Sequence, residues 1–168
     1  MSRFLYLMRH GQSADKHHSQ ADKERELTPQ GMRDTLTVSG HLYHQKIIPD
    51  LILSSTAIRA KHTSELVLDV CKLMPDQIRL EEELYTASVR TFLELVNQID
   101  DTFHAVMCVG HNPVISYLAE YLTKAEIGDM PPAGLAIIRF HVQHWKEVNQ
   151  GSGELITLLI PENLKDVK

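Results

Sequence analysis

Three short segments carry side chains that together suit phosphoryl transfer: Arg9-His10-Gly11, Ser54-Ser55-x-x-x-Arg59-Ala60 with Thr63, and Gly110-His111-Asn112. A histidine attacks phosphorus only through an unprotonated ring nitrogen. A neighbouring guanidinium disfavours the imidazolium form and attracts the phosphate, so Arg9 can serve His10 in both ways. The planar fork of arginine donates two parallel hydrogen bonds to phosphate oxygens, and Arg59 supplies a second clamp of this kind. His111 stands just before a helix start, where unpaired N–H groups and the helix dipole favour an anion. Two arginines and a second histidine then compensate the equatorial oxygens while the bond to the leaving group lengthens.

These residues act together only if the chain folds them to one place, and the hydrophobic pattern indicates how. Residues 3–9 read as a buried strand, and the polar stretch 12–26 as a loop that starts at the histidine. Thr28-Pro29 reads as the N-cap and first position of a helix running to about Gln45, with Met32, Leu36, Ser39 and Tyr43 on one face. Residues 50–54 form a short strand, after which Ser55 or Thr56 caps a helix with Arg59 in its first turns and Leu66, Val67 and Val70 inward. A weak strand at 78–80 leads through Glu81-Glu82-Glu83 into a loop, then a helix displaying Phe92, Leu93, Val96 and Ile99. Residues 105–109 form a central strand, and Asn112-Pro113 is a second cap pair, opening a helix with Ile115, Leu118 and Leu122 on one face. A proline-marked loop at 130–134 precedes strands at 135–142 and 154–160, joined by a polar turn at Gly151-Ser152-Gly153 as an antiparallel hairpin.

Strands alternating with helices over the first two thirds predict βαβ units. The expected fold class is α/β, a three-layer α/β/α sandwich whose mostly parallel sheet ends in the antiparallel C-terminal hairpin. Ligands of such sheets bind at the carboxyl ends of the strands, and His10, the 54–59 stretch and His111 each follow a strand end.

A chain of 168 residues suits a single domain over 1–168. Its net charge of −5, with the basic residues dispersed, argues against nucleic acid or an anionic membrane as a partner. Cys71 and Cys108 have no disulfide or zinc spacing, and the apolar residues 4–8 are too few for a signal peptide or a membrane span, so a cytoplasmic location is expected. His41 with His44, and His141 with His144, lack a carboxylate or cysteine at ligand spacing, so no metal site is expected. His17-His18 lies in the loop after His10, at the expected pocket rim. A cysteine phosphatase would need an arginine at Val114, six residues after Cys108. There is no Walker A loop, and Ser13-Ala14-Asp15-Lys16 fits S-x-x-K without the companion motifs.

Taken in order, and with Leu27-Thr28-Pro29-x-Gly31, these segments resemble the histidine phosphatase superfamily, also called phosphoglycerate mutase-like, and the resemblance spans the chain. The short length and Glu83-Leu84-Tyr85 after the third strand resemble its SixA branch of phosphohistidine phosphatases. The resemblance implies a phosphoglycerate mutase-like fold. It also implies a metal-independent phosphatase, without a cofactor, that works through a phosphohistidine on His10. Arg9, Gly11, Arg59 and His111 would line the phosphate pocket, and Glu83 would be the general acid. No segment is long enough for the helical insertion that covers the pocket in larger members, so an open pocket is expected. That suits phosphohistidine presented by another protein, such as a phosphotransfer domain. A small phosphate ester is the alternative substrate, and a module that recognises phosphate without hydrolysing it is the alternative from another class.

Overall fold

A computed structural model describes residues 1–164 of the chain. Strands and helices alternate as β1 (Arg3–Arg9), α1 (Pro29–His44), β2 (Leu51–Ser54), α2 (Ile58–Val70), β3 (Ile78–Leu80), α3 (Glu82–Tyr85), α4 (Val89–Asn97), β4 (Ala105–Gly110), α5 (Val114–Thr123), β5 (Leu135–Phe140), β6 (Gly153–Leu159) and α6 (Pro161–Leu164). One six-stranded sheet has the order β3-β2-β4-β1-β5-β6. β1, β2, β3 and β4 run parallel, whereas β5 is antiparallel to both β1 and β6. The α/β class and the antiparallel C-terminal hairpin are as expected. The link between β5 and β6 is longer than a tight turn and includes a 3-10 turn at Trp145–Glu147, which buries the Trp145 ring.

Alternation along each strand divides the core into two. Leu5, Leu7, Leu53, Cys108 and Ile138 face α4 and α5, packing with Phe92, Val96, Ile115, Leu118 and Leu122. Tyr6, Met8, Ile52, Met107 and Ile137 face α1 and α2, packing with Val38, Leu42, Ala60 and Val67. Each such large apolar side chain contributes about 1.5–3 kcal/mol on burial, so the sheet is held from both sides.

Strand register then sets the site. Arg9 pairs with Gly110, and Val109 pairs with Ser54, so β1, β4 and β2 end level with one another. The ladder continues one step beyond, with His10 N–H donating to the Gly110 carbonyl (3.1 Å) and Ser55 N–H to the Val109 carbonyl (3.0 Å). His10, Ser55 and His111 therefore leave the sheet from a single rim.

Several local expectations are corrected. α1 begins as predicted, the Thr28 side chain accepting from Gly31 N–H at 2.9 Å, but it buries Gly31, Thr35, Val38, Ser39 and Leu42 and leaves Leu36 and Tyr43 exposed. Close approach to the exit of β1 is the cause. A Cβ on Gly31 would stand 2.2 Å from the Gln12 carbonyl oxygen, and one on Gly11 would stand 2.7 Å from that of Gly31. The inner face there has no room for large apolar side chains. α2 is capped at Ala57 rather than Ser55 or Thr56, and it turns Arg59, Ala60, Thr63, Ser64 and Val67 inward, with Leu66 and Val70 only half-buried. Asn112 does not cap α5, which starts at Val114. Its side chain instead accepts from Ser116 Oγ (2.6 Å) and donates to the Met130 carbonyl (3.2 Å), tying down the proline-marked loop. Glu82 and Glu83 lie in a helical turn and not in a loop. Among the described residues, no helix is long and apolar enough to cross a membrane.

Candidate active site

His10 is 8% exposed, and its Nδ1 lies 2.7 Å from the Gly11 carbonyl oxygen. A carbonyl only accepts, so Nδ1 carries the proton and Nε2 keeps the lone pair. Arg59 Nε–H donates to that Nε2 at 3.4 Å. Burial, partly opposed by the Gly11 carbonyl and reinforced by His111, Arg59 and Arg9, takes the imidazole pKa down to about 3. At neutral pH the ring is uncharged and its unprotonated nitrogen faces a cation.

Gly11, expected to line the phosphate pocket, is outside the lining of the cavity that His10 faces and instead holds this arrangement in place through its backbone. Its carbonyl is taken by His10, and its N–H donates to Thr63 Oγ1 at 3.1 Å. The Thr63 hydroxyl donates in turn to the Arg59 carbonyl at 2.7 Å, one turn back on α2. Thr63 thus does two things: it bonds its own helix and fastens the turn after β1 to the helix that carries Arg59.

Arg9 Nη1 donates to the Met130 carbonyl at 2.8 Å, while its Nε is, among the described residues, a buried side-chain donor with no partner. A buried unpaired donor costs about 1–3 kcal/mol, more when charged. His111 Nε2 lies 2.8 Å from Ser55 Oγ, which also accepts from Ala57 N–H at 3.2 Å. The direction of the Ser55–His111 bond follows the tautomer of the imidazole, since the hydroxyl can donate to Nε2 or accept from it. Burial first, then Arg59 and Arg9 against the opposing effect of Asp22, lower the His111 pKa to about 4. The His10 and His111 ring centroids are 5.0 Å apart.

Arg9, His10, Arg59 and His111 line one cavity of about 370 Å³, so three strand ends converge on it. Glu83 is not brought there. It is exposed and lines a different cavity with Leu51, Arg79 and Gln98. Residues two apart in a helical turn point about 200° apart, and in α3 it is Tyr85 that meets the cavity lined by His10. His17 and His18 are exposed and outside its lining. The cavity also gathers Asp22, Arg25 and Tyr85, which sequence reasoning missed. The Asp22 carboxylate accepts from Arg59 Nη2 (3.1 Å), Arg25 Nη1 (3.0 Å) and the Tyr85 hydroxyl (2.9 Å). Only the density of charge between residues 12 and 26 hinted at Asp22 and Arg25, and no such signal marked Tyr85. Among the described residues, no three His, Cys, Asp or Glu side chains are grouped so as to hold a metal ion.

Comparison with known proteins agrees with this geometry. Residues 5–88 match the histidine phosphatase superfamily (branch 1). A Mycobacterium tuberculosis protein is 32% identical over 165 residues, covering 92% of this chain and 99% of its own. The crystal structure of an Agrobacterium tumefaciens protein assigned as phosphohistidine phosphatase SixA superposes with a TM-score of 0.80 at 27% identity, over 95% of this chain and 99% of that one. A protein histidine phosphatase SixA complexed with tungstate superposes with a TM-score of 0.78 at 26% identity, over 96% and 99% of the two chains. The chain belongs to the histidine phosphatase superfamily, in its SixA branch.

Proposed function

We propose that this phosphatase hydrolyses phosphohistidine on a protein such as a phosphotransfer domain, passing the phosphoryl group through Nε2 of His10 with side chains alone. The observation that carries this reading is the fixed tautomer of His10: Nδ1–H on the Gly11 carbonyl leaves Nε2 unprotonated beside Arg59. Phosphoryl oxygens would be received by Arg9, the Nε side of Arg59 and His111, which line the cavity.

Nε2 attacks phosphorus, and the P–N bond to the carrier histidine breaks with its electron pair going to the departing nitrogen. If the other nitrogen of that imidazole is protonated, the group leaves neutral. The His10 ring becomes cationic, and the Gly11 carbonyl on its Nδ1–H stabilises that charge. Water then attacks the phosphohistidine, the P–Nε2 bond breaks, and the pair returns to His10 as orthophosphate forms and the water proton passes to solvent.

This leaving group favours a phosphoamide substrate. An alkyl phosphate releases an alkoxide that needs a proton, and Glu83, the carboxyl expected to give it, lies outside the cavity. Tungstate, a phosphate mimic, in the SixA structure of the same fold supports an oxyanion pocket in this one. The test is a parallel measurement of kcat/KM on a phosphohistidine-bearing phosphotransfer protein and on a panel of sugar and nucleotide phosphates. Higher values on phosphohistidine are expected, and faster turnover of the esters would overturn the assignment.

A further inference from the structure

The Asp22 carboxylate accepts from Arg59, Arg25 and Tyr85, all three of which line the phosphate cavity. Arg59 is gripped by two groups of this one residue, Nη1 donating to the Asp22 backbone carbonyl (2.8 Å) and Nη2 to its carboxylate (3.1 Å). A guanidinium has two hydrogen-bonding edges, an end edge formed by Nη1 and Nη2 and a side edge formed by Nε and Nη2. Asp22 occupies the end edge. The side edge, through Nε, is turned to His10 Nε2 at 3.4 Å.

We propose that Asp22 is a positioning residue for phosphoryl transfer: by holding the end edge of Arg59 it aims the side edge at the phosphorus bound to His10, and it ties Arg25 and Tyr85 to the same anchor. This rests on the reading of the cavity as a phosphoryl site. Three arginines against one carboxylate, with both histidines neutral, leave the cavity at +2, which matches a phosphoryl dianion. Burial pushes the Asp22 carboxyl up, but hydrogen bonds from Tyr85, Arg25 and Arg59 outweigh it and hold the group well below the usual carboxylate range. It is therefore ionised wherever the enzyme would work.

Two other roles predict different behaviour. An ordinary exposed ion pair has little effect on anything, but here the arginine side chain is 8% exposed against 43% for Asp22, and its nitrogens are shared with the reacting centre. A carboxylate that merely competes with phosphate for the arginines would predict tighter anion binding once it is removed.

The experiment compares wild type, Asp22→Ala and Asp22→Asn in tungstate titration and in steady-state turnover of a phosphohistidine protein. Positioning predicts that Asp22→Ala loses on the order of tenfold to a hundredfold in kcat, with a smaller change in KM, because misplacement is felt most in the transition state. Tungstate should bind more weakly to it. Asp22→Asn, which keeps an acceptor oxygen for Arg59, should recover part of kcat. An unchanged kcat, or tighter tungstate binding by Asp22→Ala, would overturn the proposal while leaving the phosphoryl site intact. Failure of the wild type itself to bind tungstate would remove the site, and the proposal with it.

Discussion

The neutrality of His10 has a measurable thermodynamic consequence. Its pKa is about 3 in the folded protein, against 6.5 for an unperturbed histidine. Between those values the unfolded chain binds a proton at this residue and the folded chain does not, so stability falls as pH falls through that window. Each pH unit below 6.5 costs about 1.4 kcal/mol, so moving from about pH 7.5 to about pH 5 removes about 2 kcal/mol through His10 alone. His111, at about 4, adds a similar loss. Asp22 does not enter this comparison, because a lowered carboxyl loses its stabilisation only below the unfolded carboxylate value. Replacing His10 by Gln deletes the His10 contribution and keeps the others. Urea unfolding of wild type and His10→Gln at both pH values isolates it, and at typical m values about 2 kcal/mol is a midpoint shift of roughly 1 M. The wild type should lose that much more stability than the variant on acidification. Equal losses in the two proteins would refute a desolvated, neutral His10.

Other perturbations test the supports of the site. Gly31→Ala places a Cβ 2.2 Å from the Gln12 carbonyl, so it should force α1 away from the β1 exit at a cost of about 1–3 kcal/mol or more, seen as a lowered urea midpoint. Thr63→Val leaves the buried Gly11 N–H without its acceptor; a loss of about 1–3 kcal/mol is expected, with lowered kcat as the His10 turn loosens. Glu83→Gln, on a separate cavity, should leave kcat on phosphohistidine unchanged, and a large fall would restore Glu83 as the acid.

Much of this was legible in the sequence, for physical reasons that can be named. Continuous apolar runs marked β1, β2 and β4, and candidate site residues at or shortly after strand ends need only parallel pairing in register to converge. Arg9, His10, Arg59 and His111 satisfied that condition. Asp22 and Arg25 were invisible because the stretch 12–26 has no periodicity, and its path is set by contacts to α2 and α3 that are distant in sequence. Glu83 was misplaced because proximity to β3 does not say which way the next turn faces. The face of α1 was misread because it must approach β1 closely. Its buried residues near the site are Gly31 and Thr35, and a search for large apolar residues at helical spacing passes over them.

The central claim is that Nε2 of His10, and not Nδ1, takes the phosphoryl group. Rapid mixing with a phosphohistidine protein or phosphoramidate, quenching without acid to preserve the P–N bond, and phosphorus NMR of the trapped enzyme test it directly. A phosphorylated His10 substituted at Nε2, absent from His10→Gln, is the predicted result. Phosphate on Nδ1, on another residue, or on no residue during normal turnover would contradict the account.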